Sequence, residues 1–468
     1  MKINKNIKNI FSLFSSEFIA RLVGFIATIY LARRLGTDNF GILNIGLAVL
    51  NYAAIFSASG LNMLGTRKTA ERVEGDNAIL NKLIISKFSL TIVISIITFF
   101  IVTFFVHSEA TSEIIFIYLL YLLPSVFIID WYFQGKETMG VITVGRSVGM
   151  TVYLIFVLLF VNTSADIISA AYAWVIGAVV NAIILWIFLT KRIKVKLFSI
   201  KIISSFNYIR ESVPLGAATI ISQVVIMFPI LYIGAIYSEE QAGIYSAAYR
   251  IIILLLVADR IFSTMFFPKI VNLITKRSEK LESVFNSILK IITFFSFYIG
   301  FVSIIFADTL VITIFGTEYN NSVFIFQLLI GYFILTLINS VFSFTLIGMK
   351  EEKSYSVAMF IGMIGFFISL FVLDNLYSIT GIAISLIIYE ILTIAYMINK
   401  VNKIILINLK EFIPSLVIFA AIFILLIIYI FDFSILAKFV IAILLLIILF
   451  YFCNIKKKEI DLIKGVIS

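Results

Sequence analysis

Four arginines stand where a charge is costly. Arg21, Arg146, Arg250 and Arg260 fall inside long apolar runs of a 468-residue chain that is 62% hydrophobic and 13% charged. A charged side chain near the centre of a bilayer costs about 2.5 to 3.5 kcal/mol on insertion scales, so one that is kept faces a wet cavity, a ligand or a partner. The acids in the same runs are fewer, namely Glu17, Asp259 and Glu390. A cavity lined by this set attracts anions. The chemistry it suits is the binding of an anionic ligand, and an exporter of organic cations would show the opposite bias.

Glu17, Arg21, Gly24 and Thr28 are spaced 4, 3 and 4 and share one helical face. Either that stripe faces a cavity, or Glu17 and Arg21, at i and i+4, neutralise each other near the helix end. Arg146 lies beside Thr143 and Ser147, and Arg250 follows Ser246 by one turn. Neither has an acid at i±3 or i±4, so the charge is met by another helix, by water or by an anionic ligand. Asp259 is about half a helical turn out of phase with Arg250 and reads, with Arg260, as a pair at the rim. Glu390 is a candidate for a proton or sodium site, or for the partner of an arginine across the cavity. Arg34 reads as a cation on the exit side, and Asp130, beside Trp131, as an anchor at the interface. Pro124 and Pro229 fall inside apolar runs, where each removes a backbone donor and predicts a kink that is either a hinge or a fixed bend.

The elements that must position these residues are membrane helices. Mean hydropathy is +1.13, and apolar stretches of about 20 residues, enough to cross roughly 30 Å of hydrocarbon, recur along the chain. Fourteen start near residues 10, 41, 84, 113, 140, 167, 212, 241, 286, 322, 354, 377, 411 and 433. The fold class is an all-α polytopic membrane protein. The first run lacks a small-residue cleavage site and reads as a retained span.

The net charge of +10 does not point to nucleic acid, because of where it sits. Apart from the four intramembrane arginines, the basic residues lie in the tails and even-numbered loops, with only Arg33, Arg34 and Lys438 in odd-numbered ones. That asymmetry predicts both termini in the cytoplasm. Basic runs such as Lys191 to Lys201 and Lys456 to Lys458 read as topology signals and contacts with anionic membrane lipids. One cysteine, Cys453, and one histidine, His107, exclude a disulfide framework and argue against a Cys/His metal site. There is no phosphate-binding loop of the G-x-x-x-x-G-K-[ST] type, and no cofactor is expected. The longest odd-numbered loop is the stretch around Asp308 to Asn321, too short for the catalytic loop of a membrane glycosyltransferase or polymerase. An enzyme is therefore not expected.

The chain repeats itself. LGTDNFGILNIG from Leu35 returns as YSEEQAGIYSAA from Tyr237, aligning Asp38 with Glu240 and Gly41-Ile42 with Gly243-Ile244. Lys87 answers to Lys290, Lys136 to Lys350, and Ser164 to Ser378 in the same order. Six spans separate the copies, so both keep one orientation as parallel repeats about an axis along the membrane normal. The expected domains are an N-lobe at 1–200, a C-lobe at 201–404 and an extra hairpin with a basic tail at 405–468.

Four segments carry a family resemblance: YLARRLGTDNFGILNIG after the first span, SGLNMLGTRKTAE after the second, IDWYFQGKE at the end of the fourth and AGIYSAAYRI entering the eighth. Together they resemble the polysaccharide (O-antigen, Wzx-type) flippases of the multidrug/oligosaccharidyl-lipid/polysaccharide exporter superfamily, over about residues 10–400. The resemblance implies twelve core helices in two lobes plus two more. It implies alternating-access movement of an undecaprenyl-diphosphate-linked oligosaccharide across the bacterial cytoplasmic membrane for surface polysaccharide synthesis. Proton or sodium is the expected coupling ion, and polysaccharide polymerase or assembly proteins are expected partners. The family's motif arginines correspond in position to Arg33 and Arg34. A drug antiporter of the same superfamily and a peptidoglycan-precursor flippase are the alternatives.

Overall fold

The computed structural model describes residues 5–72, 74–195, 203–408, 422–423 and 435–452, the side chains of 5–21, 203–205, 215, 217–219, 435–436, 447–448 and 450–452 excepted. Glu17 and Arg21 thus fall on a described helix, but their side chains lie outside the described residues. Backbone groups in hydrocarbon have no water to bond, which leaves the helix as the element that satisfies them within one segment. Among the described residues there are helices and no strand.

Two compact units divide the chain at Ser246 and Ala247. The first contains α1 (Lys5–Ala58), α2 (Leu61–Glu71), α3 (Asp76–Phe105), α4 (Glu109–Leu119), α5 (Leu122–Phe127), α6 (Asp130–Gly135), α7 (Met139–Phe160), α8 (Ile167–Thr190) and α9 (Ile203–Ile236), and the start of α10 (Glu239–Leu255). The second contains the rest of α10, then α11 (Val257–Thr275), α12 (Leu281–Ile305), α13 (Ala307–Phe315), α14 (Ser322–Gly348), α15 (Glu352–Val401) and α16 (Ile435–Phe452).

Length shows which helices cross twice. The 54 residues of α1 and the 50 of α15 would reach about 81 and 75 Å at 1.5 Å per residue, far more than one bilayer. Each is broken once, α1 at Gly36 (φ 74°, ψ 178°) and α15 at Ser378 (φ 52°, ψ −136°), and each covers two predicted spans. Nine helical stretches among the described residues are long and apolar enough to cross. With Ile220–Ile236 of α9, they account for the first twelve predicted spans. The thirteenth lies almost wholly outside the described residues, and the fourteenth is α16.

Within the first unit, α1 packs on α7, α4, α9 and α3, while α8 packs on α7, α4 and α5. Compactness and sequence repeat divide the chain at different places, near 246 and near 200, because α9 packs on α1, α2 and α3. Helix α2 has no counterpart among the predicted spans. Arg67, Lys68 and Glu71 make it too polar to cross, yet Leu61, Leu64, Gly65 and Thr69 form a buried face at helical spacing.

In the second unit α14 is the core element. It buries Phe326, Phe333 and Phe342 among residues on every side of the helix, the pattern of a helix surrounded by others. It packs against α11, α12, α13 and α15, and α16 packs on α12. Lys438 of α16 is only 3% exposed. Its Nζ donates to both carboxylate oxygens of Asp308 on α13, at 2.6 and 2.7 Å. Burial raises the pKa of Asp308, but the Lys438 bonds and backbone bonding outweigh that and hold the carboxyl below its ordinary range.

Candidate functional site

In the first unit the site grows from a broken helix. Helix α5, which contains Pro124, stops at Phe127, and the chain passes through Ile128 (ψ 100°) and Ile129 (ψ 36°) before α6 begins at Asp130. A helix end leaves carbonyls without intrahelical donors. The Ser125 carbonyl accepts from Lys87 Nζ at 2.6 Å, and the Phe127 carbonyl accepts from Trp186 Nε1 at 2.8 Å. Asp130 faces Arg146 of α7, whose Nε and Nη2 both donate to Oδ2, at 2.9 and 2.7 Å. The charge of Arg146 is thus met by another helix, and Asp130 is its partner instead of an interface anchor. Asp130 Oδ1 is buried with no hydrogen bond among the described residues.

Lys87 was missed by sequence reasoning, which treated it as a repeat marker and grouped it with loop lysines. It lies well inside α3, 7% exposed, and within electrostatic range of Asp130. The available signal was the apolar sequence on both sides of it, LIIS before and FSLTIVIS after. Lys87 and Arg146 thus bring two basic side chains to the neighbourhood of the Asp130 carboxylate.

The two copies of the repeated motif meet within the first unit. A Cβ added to Gly41 would lie 1.8 Å from the Glu239 carbonyl oxygen, and one added to Gly243 would lie 2.0 Å from that of Thr37. Only glycine permits backbones this close. Glu239 itself accepts a bond from Thr111 Oγ1 at 2.9 Å. A second crossing lies at the far end of α9, where a Cβ on Gly60 would lie 2.2 Å from the Ser212 carbonyl oxygen. There Lys68 pairs with Glu211 at 3.0 Å and Lys82 with Glu74 at 2.7 Å. The Tyr208 hydroxyl donates to Glu74 at 3.1 Å, and both lysines lie over the Tyr208 ring. Burial raises the pKa of Glu74, but the bonds from Lys82 and Tyr208 and the charges of Lys82 and Lys68 outweigh it and keep the carboxyl low.

In the second unit Glu390 of α15 is 3% exposed. Its Oε1 accepts from Thr336 Oγ1 at 2.9 Å and its Oε2 from Asn339 Nδ2, while Ser343 donates to Asn339 Oδ1 at 2.7 Å. Asp259 of α11 is close enough to act on Glu390 electrostatically; its Oδ1 is buried without a hydrogen bond among the described residues. Tyr249, next to Arg250 on α10, senses both Arg250 and Glu390. Arg250, Asp259 and Glu390 thus share a neighbourhood, whereas Arg146 belongs to the other unit. Arg34 is exposed, with its guanidinium over the Tyr30 ring at 5.4 Å. Pro229 lies inside α9, which runs from Ile203 to Ile236. No group of three or more His, Cys, Asp or Glu side chains capable of holding a metal occurs among the described residues.

Apolar helices of crossing length, with charged side chains among them, define a polytopic membrane protein. The chain belongs to the polysaccharide biosynthesis protein family, whose profile matches residues 7–274. It is 22% identical over 390 residues to the Escherichia coli (strain K12) protein named "Putative O-antigen transporter", covering 80% of this chain and 91% of that one. A Shigella dysenteriae protein of the same name is 24% identical over 407 residues, covering 84% and 100%. Among solved structures, the lipid II flippase MurJ in an inward closed conformation superposes with a TM-score of 0.77 at 14% identity, over 93% of this chain and 97% of that one. An inward-facing multidrug resistance MATE family transporter of the MOP superfamily gives 0.70 at 16%, over 81% and 93%. At such identities these two show a shared fold. The resemblance drawn from the four sequence segments is borne out.

Proposed function

We propose that this chain moves an undecaprenyl-diphosphate-linked oligosaccharide from the inner to the outer leaflet of the bacterial cytoplasmic membrane, with both termini in the cytoplasm. The observation that carries the reading is the placing of two basic side chains, Lys87 and Arg146, beside Asp130 at the α5 break in a chain of the polysaccharide biosynthesis family. The diphosphate head and sugars pass between an N-lobe at 1–200 and a C-lobe at 201–404, while the polyprenyl tail stays in lipid. Arg21, Arg146 and Arg250, joined by Lys87, offset the cost of carrying phosphate charge through a low-dielectric region, and Arg34 receives it on the exit side. Moving one uncompensated negative charge outward is favoured by about 2.3 kcal/mol per 100 mV of inside-negative potential. Glu390 and Asp259, with Thr336 and Asn339, form the site for a coupling proton or sodium ion. The Pro124 and Pro229 bends act as hinges, and the 405–468 hairpin completes the C-terminal side. The product feeds a polysaccharide polymerase. No covalent chemistry is required of the chain.

The test is translocation of a labelled lipid-linked oligosaccharide in proteoliposomes, alongside restoration of surface polysaccharide in a flippase-null strain. Lys87→Met and Arg146→Gln, expressed at normal levels, should each lose most of the activity. Full activity in both variants would refute the basic-pocket mechanism. Resistance to cationic dyes without oligosaccharide movement would favour a drug antiporter, and rescue of a strain lacking its peptidoglycan-precursor flippase would favour that substrate.

A further inference from the structure

Where α5 breaks away, it leaves a hollow against α8. The cavity holds about 570 Å³ and is lined by Leu123, Pro124 and Phe127 on one side and by a stripe from Val179 to Thr190 on the other. The α8 residues follow at steps of 3, 1, 3, 1 and 3, one face of a helix. The volume is that of a formed ligand site. The Phe127 carbonyl, which the helix break would leave open in this wall, is covered by Trp186 Nε1. The wall is therefore apolar, its polar side-chain atoms being the Trp186 Nε1, already bonded, and the Thr190 hydroxyl. Its rim residues Leu123 and Ile183 are 53% and 52% exposed and lie in helices of crossing length, so the hollow opens towards hydrocarbon.

Charge is present at one end only. Thr190 is followed at once by Lys191 and Arg192, both exposed; Arg192 Nη1 donates to Thr138 Oγ1 at 3.0 Å and its guanidinium stands over the Phe133 ring at 5.6 Å. The stripe from Val179 to Thr190 spans about 16 Å at 1.5 Å per residue, roughly half of a 30 Å hydrocarbon core. We infer that this groove binds an anionic phospholipid, one acyl chain lying along α8 from Thr190 to Val179 and the head-group phosphate resting on Lys191 and Arg192. Its length matches a chain of a single leaflet and is too short for a transmembrane helix or an extended polyprenyl tail. The basic end supplies the complement to the phosphate, and the chain fills the space left beside Pro124.

The experiment uses the full-length protein in vesicles whose lipids carry bromine on the acyl chains, with the Trp186 signal taken as the difference between wild type and Trp186→Phe. Brominated phosphatidylglycerol should quench Trp186 at lower mole fraction than brominated phosphatidylcholine, by roughly fivefold per basic residue engaged. The double variant Lys191→Gln with Arg192→Gln should bring the two lipids to parity. Both residues are exposed, so these changes leave the helices intact. Val179→Phe, which fills the inner end, should weaken quenching by either lipid. Equal quenching by the two lipids in the wild type would overturn the proposal, as would a preference that survives the double variant.

Discussion

Replacing Gly41 or Gly243 by alanine tests whether the two copies of the repeat meet backbone to backbone. The added Cβ atoms would stand 1.8 and 2.0 Å from carbonyl oxygens, where ordinary contact begins at 3.4 Å. The helices must therefore part by about 1.5 Å, a separation that forfeits a large share of the dispersion energy between the atoms lining the crossing. The obstacles are backbone atoms, so no side-chain rotation relieves the clash, and the penalty belongs at the upper end of the overpacking range, about 3 kcal/mol. Gly140 on α7 is the control, since a Cβ there meets nothing within 4 Å and alanine gains helix propensity, at most about 1 kcal/mol. Thermal unfolding of the purified protein in detergent, followed by loss of monodisperse elution, should show both crossing variants melting well below the wild type and Gly140→Ala no lower than it. If Gly41→Ala and Gly243→Ala melt together with Gly140→Ala, the close crossing is refuted.

Arg146→Met removes the cation hydrogen-bonded to the Asp130 carboxylate and leaves Lys87 as the cation near it. A fully buried pair costs about 3–5 kcal/mol to break this way, and less is expected here because the Arg146 side chain is 40% exposed. The double variant with Asp130→Asn should regain stability, and a thermal double-mutant cycle with no coupling would contradict the pair. Asp308 is held below its ordinary range in the folded protein, so it stabilises docking of α16 above the usual carboxylate pKa near 4 and loses that contribution as pH falls through the depressed value. Hydrogen exchange in residues 435–452 should rise over that acid window in the wild type and lose this dependence in Asp308→Asn. Glu390→Gln removes the ionisable group while its amide oxygen can still accept from Asn339 Nδ2 and its NH2 can donate to Thr336 Oγ1, whose own hydrogen goes to the Tyr332 carbonyl. The variant should fold but lose the response of transport to an imposed proton or sodium gradient; an unchanged response would remove Glu390 from coupling.

Spans were legible because hydropathy reports contact with lipid whether or not a helix is broken. The same insensitivity hid the breaks. Nothing in FIID marks Ile128 and Ile129 as non-helical, and the double crossings of α1 and α15 turn on single residues, Gly36 and Ser378. Helix α2 was invisible to a span search since its apolar face is too narrow. Gly41 and Gly243 were visible as a repeat, but sequence spacing alone does not bring them within touching distance. Arg146 was found by its cost in hydrocarbon. Its partner Asp130 is 16 residues away, beyond any i±4 rule. Lys438 stood out as one of few basic residues in odd-numbered loops, and the reason it is tolerated, Asp308, is 130 residues distant.

The crossing at Gly41 and Gly243 brings together two stretches of main chain, in α1 and α10, with no side chain on either glycine. At the far end of α9 the close approach of Gly60 to Ser212 is accompanied by ionic contacts, Lys68 with Glu211 and, beside them, Lys82 with Glu74. Dissolved salt acts on these two attachments unequally. At 1 M the Debye length falls to about 3 Å, which weakens the partly exposed lysine pairs and leaves the glycine contact as it was. Ionic strength alone therefore weakens part of the fastening at the far end of α9 and neither of the glycine crossings, so the ionic and backbone contributions are separable by choice of buffer without any mutation.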